Sequence, residues 1–472
     1  MVGKRPPRQR ELCLTVPVVP ATTRQQLLSR IDALVDWEPV RELVAPCFAV
    51  IGRPSIDPVV MAKLMLLGYL FGIASDRALL EECTDRLSFR EFLGYNVGEA
   101  LPDHSTVTVW RQRLGAAVFR ELLWIIVRQC AAHGMVVSEA RTIDATSVKA
   151  QASKYGPTVP VPEGEEIEAH LDRVFADEVP ELEEKTKTIP VSLNDPEARL
   201  QAKGQEAADF RYQASFCADA ESGLITDAVA TPTEHPSTAV EHVRADPLPV
   251  TEVVADRRYD DGDTLAALQA AGVTPYVPKT KRDKPGQLSK ERFTYDPATD
   301  SYQCPNGKPL PYAGFNRHSR LHQYVARQSD CAGCPLKAQC TPGQRRMITR
   351  TEHETAREQT VRDGPRYREL MRRRGINEHL NFLGKRDHAL RRARALGLDA
   401  MGIQVALVAI AINLKKLVKW HRANLLGVLC RAFAWLAAIL GAVAATCGGL
   451  RPRRSDARPY RPDPIRAYPA RA

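Results

Sequence analysis

The ten residues RTIDATSVKA (141–150) place a carboxylate inside a predicted β-strand. Ile143 and Val148 are β-branched, and residues of this type favour strands. Asp144 stands in the middle of the run, where strand residues are normally apolar or alternate in polarity. One isolated acid has ordinary explanations, because it can cap a turn or pair with an arginine such as Arg141. A functional role for Asp144 therefore requires other carboxylates beside it.

The length and composition indicate a basic protein of several domains. The chain has 472 residues, which predicts two or three domains, and its apolar content of 44% is enough for packed cores. The net charge of +10 favours a polyanionic partner, of which nucleic acid is the simplest. Charge alone does not decide the matter, because some basic proteins bind no nucleic acid.

Neither end of the chain is predicted to form a folded domain. Residues 1–22 are basic and lack the apolar core of a signal peptide, so we expect a disordered N-terminus and no secretion. The apolar run after Asn424 is interrupted by Arg431, and its uninterrupted part is shorter than the roughly 20 residues of a membrane span. Residues 424–472 therefore predict an apolar helix followed by a basic, disordered tail, with no membrane association.

Two structural classes follow one another between these ends. Residues 23–135 contain short helical patterns, and a polar-capped helix with Arg111 and Arg113 favours a helix-turn-helix-like DNA-binding domain. A plain helical bundle that only supports the next domain is the alternative. In residues 136–423 strands and helices alternate, which predicts an α/β domain with a mixed sheet. Two insertions interrupt this domain, a linker-like one at 151–200 and a Cys-rich one at 280–350.

Two further acids stand at informative positions. Asp256 follows the apolar strand residues in EVVADRRYD, and the carboxyl ends of strands are where α/β sheets form their sites. Glu378 lies on a basic helix, with Arg374 and Lys385 four and seven residues away on the same helical face. A single glutamate on so basic a helix also has an ordinary explanation, as a surface partner of the neighbouring cations.

The order of these segments resembles bacterial insertion-sequence transposases of the DDE type. The likeness extends over roughly residues 20–420 and includes TIDATSVKA, VVADRRYD and an Arg-x3-Glu-x6-Lys helix. Two positions depart from the family pattern. Met371 stands where these proteins often carry tyrosine, and Asn381-Phe382 replaces their usual Phe-Gly.

The resemblance implies an RNase H-like catalytic domain with a mixed sheet, preceded by an all-α domain. It implies that Asp144, Asp256 and Glu378 are catalytic and hold two Mg²⁺ (or Mn²⁺) ions, with Asp387 as the alternative third acid. Two such ions activate the attacking oxygen and stabilise the leaving oxygen of a phosphodiester, and Mg²⁺ prefers oxygen ligands. The expected DNA-binding residues are Arg374, Lys385, Arg386, Arg391, Arg392, Arg111 and Arg113.

Four cysteines cluster in the second insertion: Cys304, Cys331, Cys334 and Cys340. The Cys331-x2-Cys334 pair is a zinc half-site, and two more thiols complete a tetrahedron, which predicts a structural Zn²⁺ site. Similar transposases carry a Cys-rich insertion at this place. Incidental reduced thiols and an iron–sulfur or redox site are the alternatives.

The predicted function is that of a transposase acting on double-stranded DNA. It would bind the terminal inverted repeats of its element, cleave at the ends and join them to target DNA. We expect a bacterial, cytoplasmic and nucleoid-associated protein that works as a homodimer or larger assembly on DNA. A nuclease of the same fold without strand transfer, or a catalytically silent DNA-binding repressor, are the alternatives.

Overall fold

The structure is a computed structural model. It describes residues 3–4, 22–49, 51–52, 54–135, 138–176, 186–202, 207–280, 287–317 and 321–446, with side chains described as far as residue 424. Most of the N-terminus and the tail after residue 446, both predicted to be disordered, lie outside these residues. The chain divides into two compact units, residues 1–420 and 421–472.

The first part of the described chain is helical. Its helices are α1 (Thr23–Leu34), α2 (Glu38–Val44), α3 (Pro58–Leu70), α4 (Asp76–Asp85), α5 (Leu87–Leu93) and α6 (His104–Ala132). Helix α3 is buried along its whole length because its sequence is apolar on every face. Asp103 caps α6 by accepting a hydrogen bond from the Ser105 backbone nitrogen. Gly115, with a φ of 68°, kinks α6 where two separate helices were predicted.

Strands dominate the next part of the chain. They are β1 (Ala140–Lys149), β2 (Thr158–Pro162), β3 (Thr188–Ser192), β4 (Arg199–Gln201), β5 (Asp209–Asp219), β6 (Ile225–Thr231), β7 (Glu252–Val254) and β8 (Thr274–Tyr276). The main sheet has the order β4-β5-β1-β7-β8, and β6 also pairs with β5. Strand β1 is antiparallel to β5 and parallel to β7, so the sheet is mixed, as predicted.

Helices cover both faces of this sheet. On one face, α8 (Thr238–Ala245) and α9 (Gly262–Ala270) share a hydrophobic cluster with Ile143 of β1. On the other face, Val148 of β1 belongs to a larger cluster that also contains residues of the N-terminal helices. The helical region and the sheet therefore share one continuous core within the unit 1–420.

The segment 151–200 is not the linker that its Pro, Glu and Lys content predicted. Strands β2 and β3 pair antiparallel, and α7 (Ile167–Phe175) lies between them in sequence. Val161, Leu171 and Val191 form a small buried cluster. The prediction failed because TVPVP and TIPVS alternate apolar side chains with others, and this alternation supports pairing despite the prolines.

The Cys-rich insertion has its own sheet. Its strands are β9 (Thr294–Asp296), β10 (Ser301–Gln303), β11 (Pro309–Asn316), β12 (Leu321–Val325) and β13 (Met347–Thr351), and the short helices α10 (Gln328–Ala332) and α11 (Lys337–Cys340) lie between β12 and β13. The strands pair antiparallel in the order β13-β12-β11-β10-β9. Aromatic residues such as Tyr302 and Tyr324 fill its core.

The chain returns to helix after this insertion. The helices are α12 (Glu354–Gln359), α13 (Pro365–Arg373), α14 (Gly375–Asp387) and α15 (Leu398–Thr446). Helix α14 packs against β1, which brings the predicted basic helix to the central strand. The segment Leu398–Asn424 is long and apolar enough to cross a membrane, but 83% of its most apolar window is buried inside the protein, as in a core helix.

Candidate active site

Pairing of β1 with β7 brings two of the predicted acids together. Thr142 lies opposite Val254 in this parallel pair. Continuing the register by two residues places Asp144 level with Asp256, on the same face of the sheet. Asp256 has extended backbone (φ −77°, ψ 174°) two residues beyond the end of β7, so the register can be continued that far. Two carboxylates far apart in sequence thus become neighbours at one sheet position.

The surroundings of Asp144 disfavour its negative charge. The pKa of Asp144 is raised to about 6, chiefly by burial and further by the carboxylates of Asp256 and Glu234, against the opposing charge of Arg374. Among the described residues Asp144 has no ion pair, although Asn381 donates a hydrogen bond to it. A negative charge held in this way favours the approach of a cation.

Glu234 is a third acid at this position, contributed by the loop between β6 and α8. It forms an ion pair with the Arg258 guanidinium, and the Arg258 backbone nitrogen donates to Oδ1 of Asp256 at 2.8 Å. Burial raises the pKa of the Glu234 carboxyl, which the Arg258 charge partly offsets. Arg258 therefore links Glu234 to Asp256 through its side chain and its backbone.

Glu378 lies on α14, one helical turn before Asn381. Its side chain is 65% exposed, and Oε1 lies 3.5 Å from Nη2 of Arg374. The hydrogen bond from Asn381 to Asp144 fixes this part of α14 beside β1. The Glu378 carboxylate itself is turned to Arg374 and to solvent.

The two aspartates fit a hard divalent cation, but the three predicted ligands do not converge. Within the described residues, no three His, Cys, Asp or Glu side chains are placed to hold one metal ion. Asp144 and Asp256 supply oxygen donors of the kind that Mg²⁺ takes. Among the described residues neither forms an ion pair, although the charges of Arg258 and Arg374 act on them from nearby.

Several predicted DNA-binding cations lie near the end of α14. Lys385 and Arg386 occupy its last turn, and Arg391 donates to the Lys385 carbonyl at 3.1 Å. Arg392 forms a backbone bridge with the last residue of β1. Arg386 pairs with Asp387 at 2.7 Å and lowers the pKa of that carboxyl, so Asp387 is already neutralised as an alternative third acid.

The two predicted DNA-binding arginines of α6 differ in availability. Arg111 makes two hydrogen bonds with the Asp76 carboxylate, at 2.6 and 2.7 Å, and its side chain is 15% exposed. Arg113 is exposed and lies over the Phe48 ring at 4.9 Å. Arg111 therefore holds α4 and α6 together, whereas Arg113 remains accessible to a phosphate.

The four clustered cysteines share one neighbourhood beside the aromatic core of the insertion. Cys304, Cys331 and Cys340 pack against that core, and burial raises the pKa of the Cys340 thiol. The charges of the other three cysteines contribute to this rise, so all four lie near one another. None of the four forms a disulfide. Among the described residues, no three of these thiols are placed closely enough to hold one metal ion.

Two residues of this site were missed in the sequence. Glu234 lies in the segment TPTEHPST, which has the composition of an ordinary loop. Asn381 was noted only as a departure from a family pattern. Its position on the same helical face as Glu378 and Lys385 was the one available signal.

Two family models of transposase domains match parts of this chain. The Transposase domain (DUF772) matches residues 19–113, and the Transposase DDE domain matches residues 303–418. The chain carries two transposase domains. The resemblance to insertion-sequence DDE transposases is thereby confirmed, and the DDE domain supports a DNA-cleaving enzyme. The DDE match contains Glu378 but begins after Asp144 and Asp256.

Other comparisons add little to the transposase domains. No curated protein matches the chain. One similar solved structure is the cryo-EM structure of a piggyBac transposase synaptic complex with hairpin DNA, at 8% identity and a TM-score of 0.34. The similarity covers 86% of this chain and 75% of that one. A TM-score this low establishes no shared fold.

Proposed function

We propose that this transposase binds the terminal inverted repeats of an insertion sequence, cleaves the DNA at its ends and transfers the strands to a target. The observation that carries the proposal is the pair Asp144 and Asp256, level on adjacent strands and without an ion pair among the described residues. The order β5-β1-β7-β8, with the first acid on the central strand, supports an RNase H-like catalytic domain.

Asp144 and Asp256 would hold the divalent ions, and Glu378 would complete the site from α14. When bound, two Mg²⁺ or Mn²⁺ ions activate the attacking oxygen and stabilise the leaving oxygen of the scissile phosphodiester. Arg374 lies near enough to Asp144 to lower its pKa, so its guanidinium is suited to hold a phosphate beside the acids. Release of Glu378 from Arg374 would free the carboxylate to bind a metal ion and the guanidinium to bind a phosphate.

The DNA would run along the basic end of α14. Lys385, Arg386, Arg391 and Arg392 lie at this end and beside the last residue of β1. Contacts of this kind orient the DNA backbone without reading its sequence. Because joining two element ends requires both to be held together, we propose a homodimer or larger assembly on DNA, acting in the bacterial cytoplasm on the nucleoid.

Cleavage of an element-end duplex tests the proposed function. The native chain and Asp144→Ala are each incubated with the duplex and Mg²⁺, and nicked and joined products are resolved on a denaturing gel. We expect end cleavage and strand transfer by the native chain only. Cleavage without joined products would favour the nuclease, and binding without cleavage would favour the repressor; either result would overturn the transposase.

A further inference from the structure

Among the described residues, Asn381 makes the one side-chain hydrogen bond from α14 to Asp144. Its Nδ2 donates to Oδ2 of Asp144 at 3.0 Å, across 237 residues of sequence. The residue is 9% exposed and lies where α14 packs against β1. This contact fixes the orientation of the Asp144 carboxylate.

The other amide atom of Asn381 has no partner. Its Oδ1 is buried and accepts no hydrogen bond from the described residues. A buried polar atom without a partner is costly, and such atoms in native proteins usually meet a water or an ion. Because Oδ1 and Nδ2 are bonded to one carbon, this oxygen lies beside the same carboxylate that Nδ2 binds.

We propose that Asn381 is a positioning residue of the metal site. Its amide nitrogen holds Oδ2 of Asp144 and leaves Oδ1 of the carboxylate for the cation. Its amide oxygen supplies an acceptor for water carried by that cation. The inference rests on the proposed function, because it assigns Asn381 a role only if Asp144 binds a divalent ion.

The chemistry of asparagine suits this place better than that of its nearest relatives. An aspartate at 381 would set another negative charge against a carboxylate whose pKa neighbouring acids already raise. A leucine would fill a similar volume but donate nothing. Groups that hydrogen-bond to metal ligands and orient them typically contribute about 10–100-fold to metal affinity. Loss of the Asn381 donor should therefore produce a measurable decrease in metal affinity.

Asn377 provides a matched control one helical turn earlier. It is also an asparagine of α14 and is 1% exposed. Both its amide atoms lack hydrogen-bond partners among the described residues. Replacing Asn377 therefore tests the effect of changing a buried amide on this helix without touching the Asp144 carboxylate.

The experiment measures Mn²⁺ binding by calorimetry on the full-length chain without DNA. The variants are Asn381→Leu and Asn377→Leu. Asp144→Ala, which removes a proposed metal ligand, is the negative control for metal binding. We expect Asn381→Leu to weaken Mn²⁺ binding by about 10–100-fold and Asn377→Leu to leave it within twofold of the native chain. Thermal unfolding of both leucine variants shows whether either change has acted through stability.

Each outcome decides between the two proposals. Native affinity in Asn381→Leu, or equal losses in both leucine variants, would overturn the role of Asn381 and leave the metal site standing. Native binding that Asp144→Ala does not reduce, or no Mn²⁺ binding by the native chain, would overturn the metal site itself and the role of Asn381 with it. If Asn381→Leu fails to fold, Asn381→Ser replaces it and is judged by the same comparison.

Discussion

Two aspartates of the same sheet show how differently this fold treats a buried carboxylate. Asp227 on β6 is fully buried and accepts hydrogen bonds from Arg120 at 2.6 and 2.8 Å, from Trp124 at 3.0 Å and from His242 at 2.6 Å. Asp144 on β1 is partly buried and accepts one side-chain hydrogen bond, from a neutral amide.

The pKa values of these two aspartates move in opposite directions for this reason. Burial alone would raise the pKa of Asp227, but hydrogen bonds and charges from Arg120 and His242 hold it below its ordinary range. For Asp144, burial and neighbouring acids act together and raise the pKa to about 6. Removing an acid from a buried ion pair destabilises the fold because it leaves an uncompensated charge, whereas an acid whose pKa is raised beside other acids is a candidate for a functional site.

Replacing each aspartate by asparagine should show the largest difference between a structural acid and a proposed metal ligand. Asp227→Asn removes the buried carboxylate that binds Arg120 and leaves that guanidinium only its more exposed partner Glu241. We expect the free energy of unfolding to fall by about 3–5 kcal/mol. Asp144→Asn removes an unneutralised charge but keeps an oxygen that can accept from Asn381, so we expect unchanged or slightly higher stability. Urea denaturation followed by circular dichroism measures both variants.

A stable Asp227→Asn variant would mean that the Arg120 contact adds little to the packing of α6 against β6. A strongly destabilised Asp144→Asn variant would mean that Asp144 is a structural acid after all. The second result would also remove the basis for a metal site at this position.

The sequence predicted one side of this comparison better than the other. The β-branched residues around Asp144 and the apolar strand before Asp256 identified two acids on a mixed sheet. Nothing in VFRELLWIIV indicated that Arg120 and Trp124 reach Asp227, because those contacts join residues more than 100 positions apart. Long-range pairing of side chains depends on the packing of whole elements and leaves no local pattern.

The same limit explains what was missed at the candidate site. Strand periodicity predicts where β1 lies, but the partner of Asp144 on α14 depends on the rotation of that helix against the sheet. Asn381 faces Asp144, whereas Glu378 stands 65% exposed beside Arg374. Spacing by three and four residues placed both on one side of the helix and could not tell which of them would meet the acid.

The cysteines can be compared in the same way, a single buried cysteine of the core with the clustered cysteines of the insertion. Cys130 lies alone in the core, and burial raises the pKa of its thiol to about 12. Cys331 and Cys334 are half-buried and lie near two other cysteines, which suits a structural Zn²⁺. We expect roughly one zinc per chain, lost when both are replaced by serine, with a loss of order confined to the insertion.

Elemental analysis of the purified chain measures the zinc content directly. Cys47→Ser is the matched control, because Cys47 is also half-buried but lies in the N-terminal helical region. Native protein without zinc would show that the four thiols are ordinary reduced cysteines, and zinc loss in Cys47→Ser would place the ion elsewhere.

The smallest expected effect concerns two predicted DNA-binding cations, Lys385 at the end of α14 and Arg111 on α6. Lys385→Ala should weaken binding to an element-end duplex and reduce the salt dependence by about one released counterion. Arg111→Ala should leave the slope unchanged, because the Asp76 carboxylate already occupies the Arg111 guanidinium. Fluorescence anisotropy over a series of salt concentrations gives both slopes.

An equal decrease in the slope for Arg111→Ala would mean that this arginine exchanges Asp76 for phosphate on binding DNA. An unchanged slope for Lys385→Ala would place the DNA away from the end of α14.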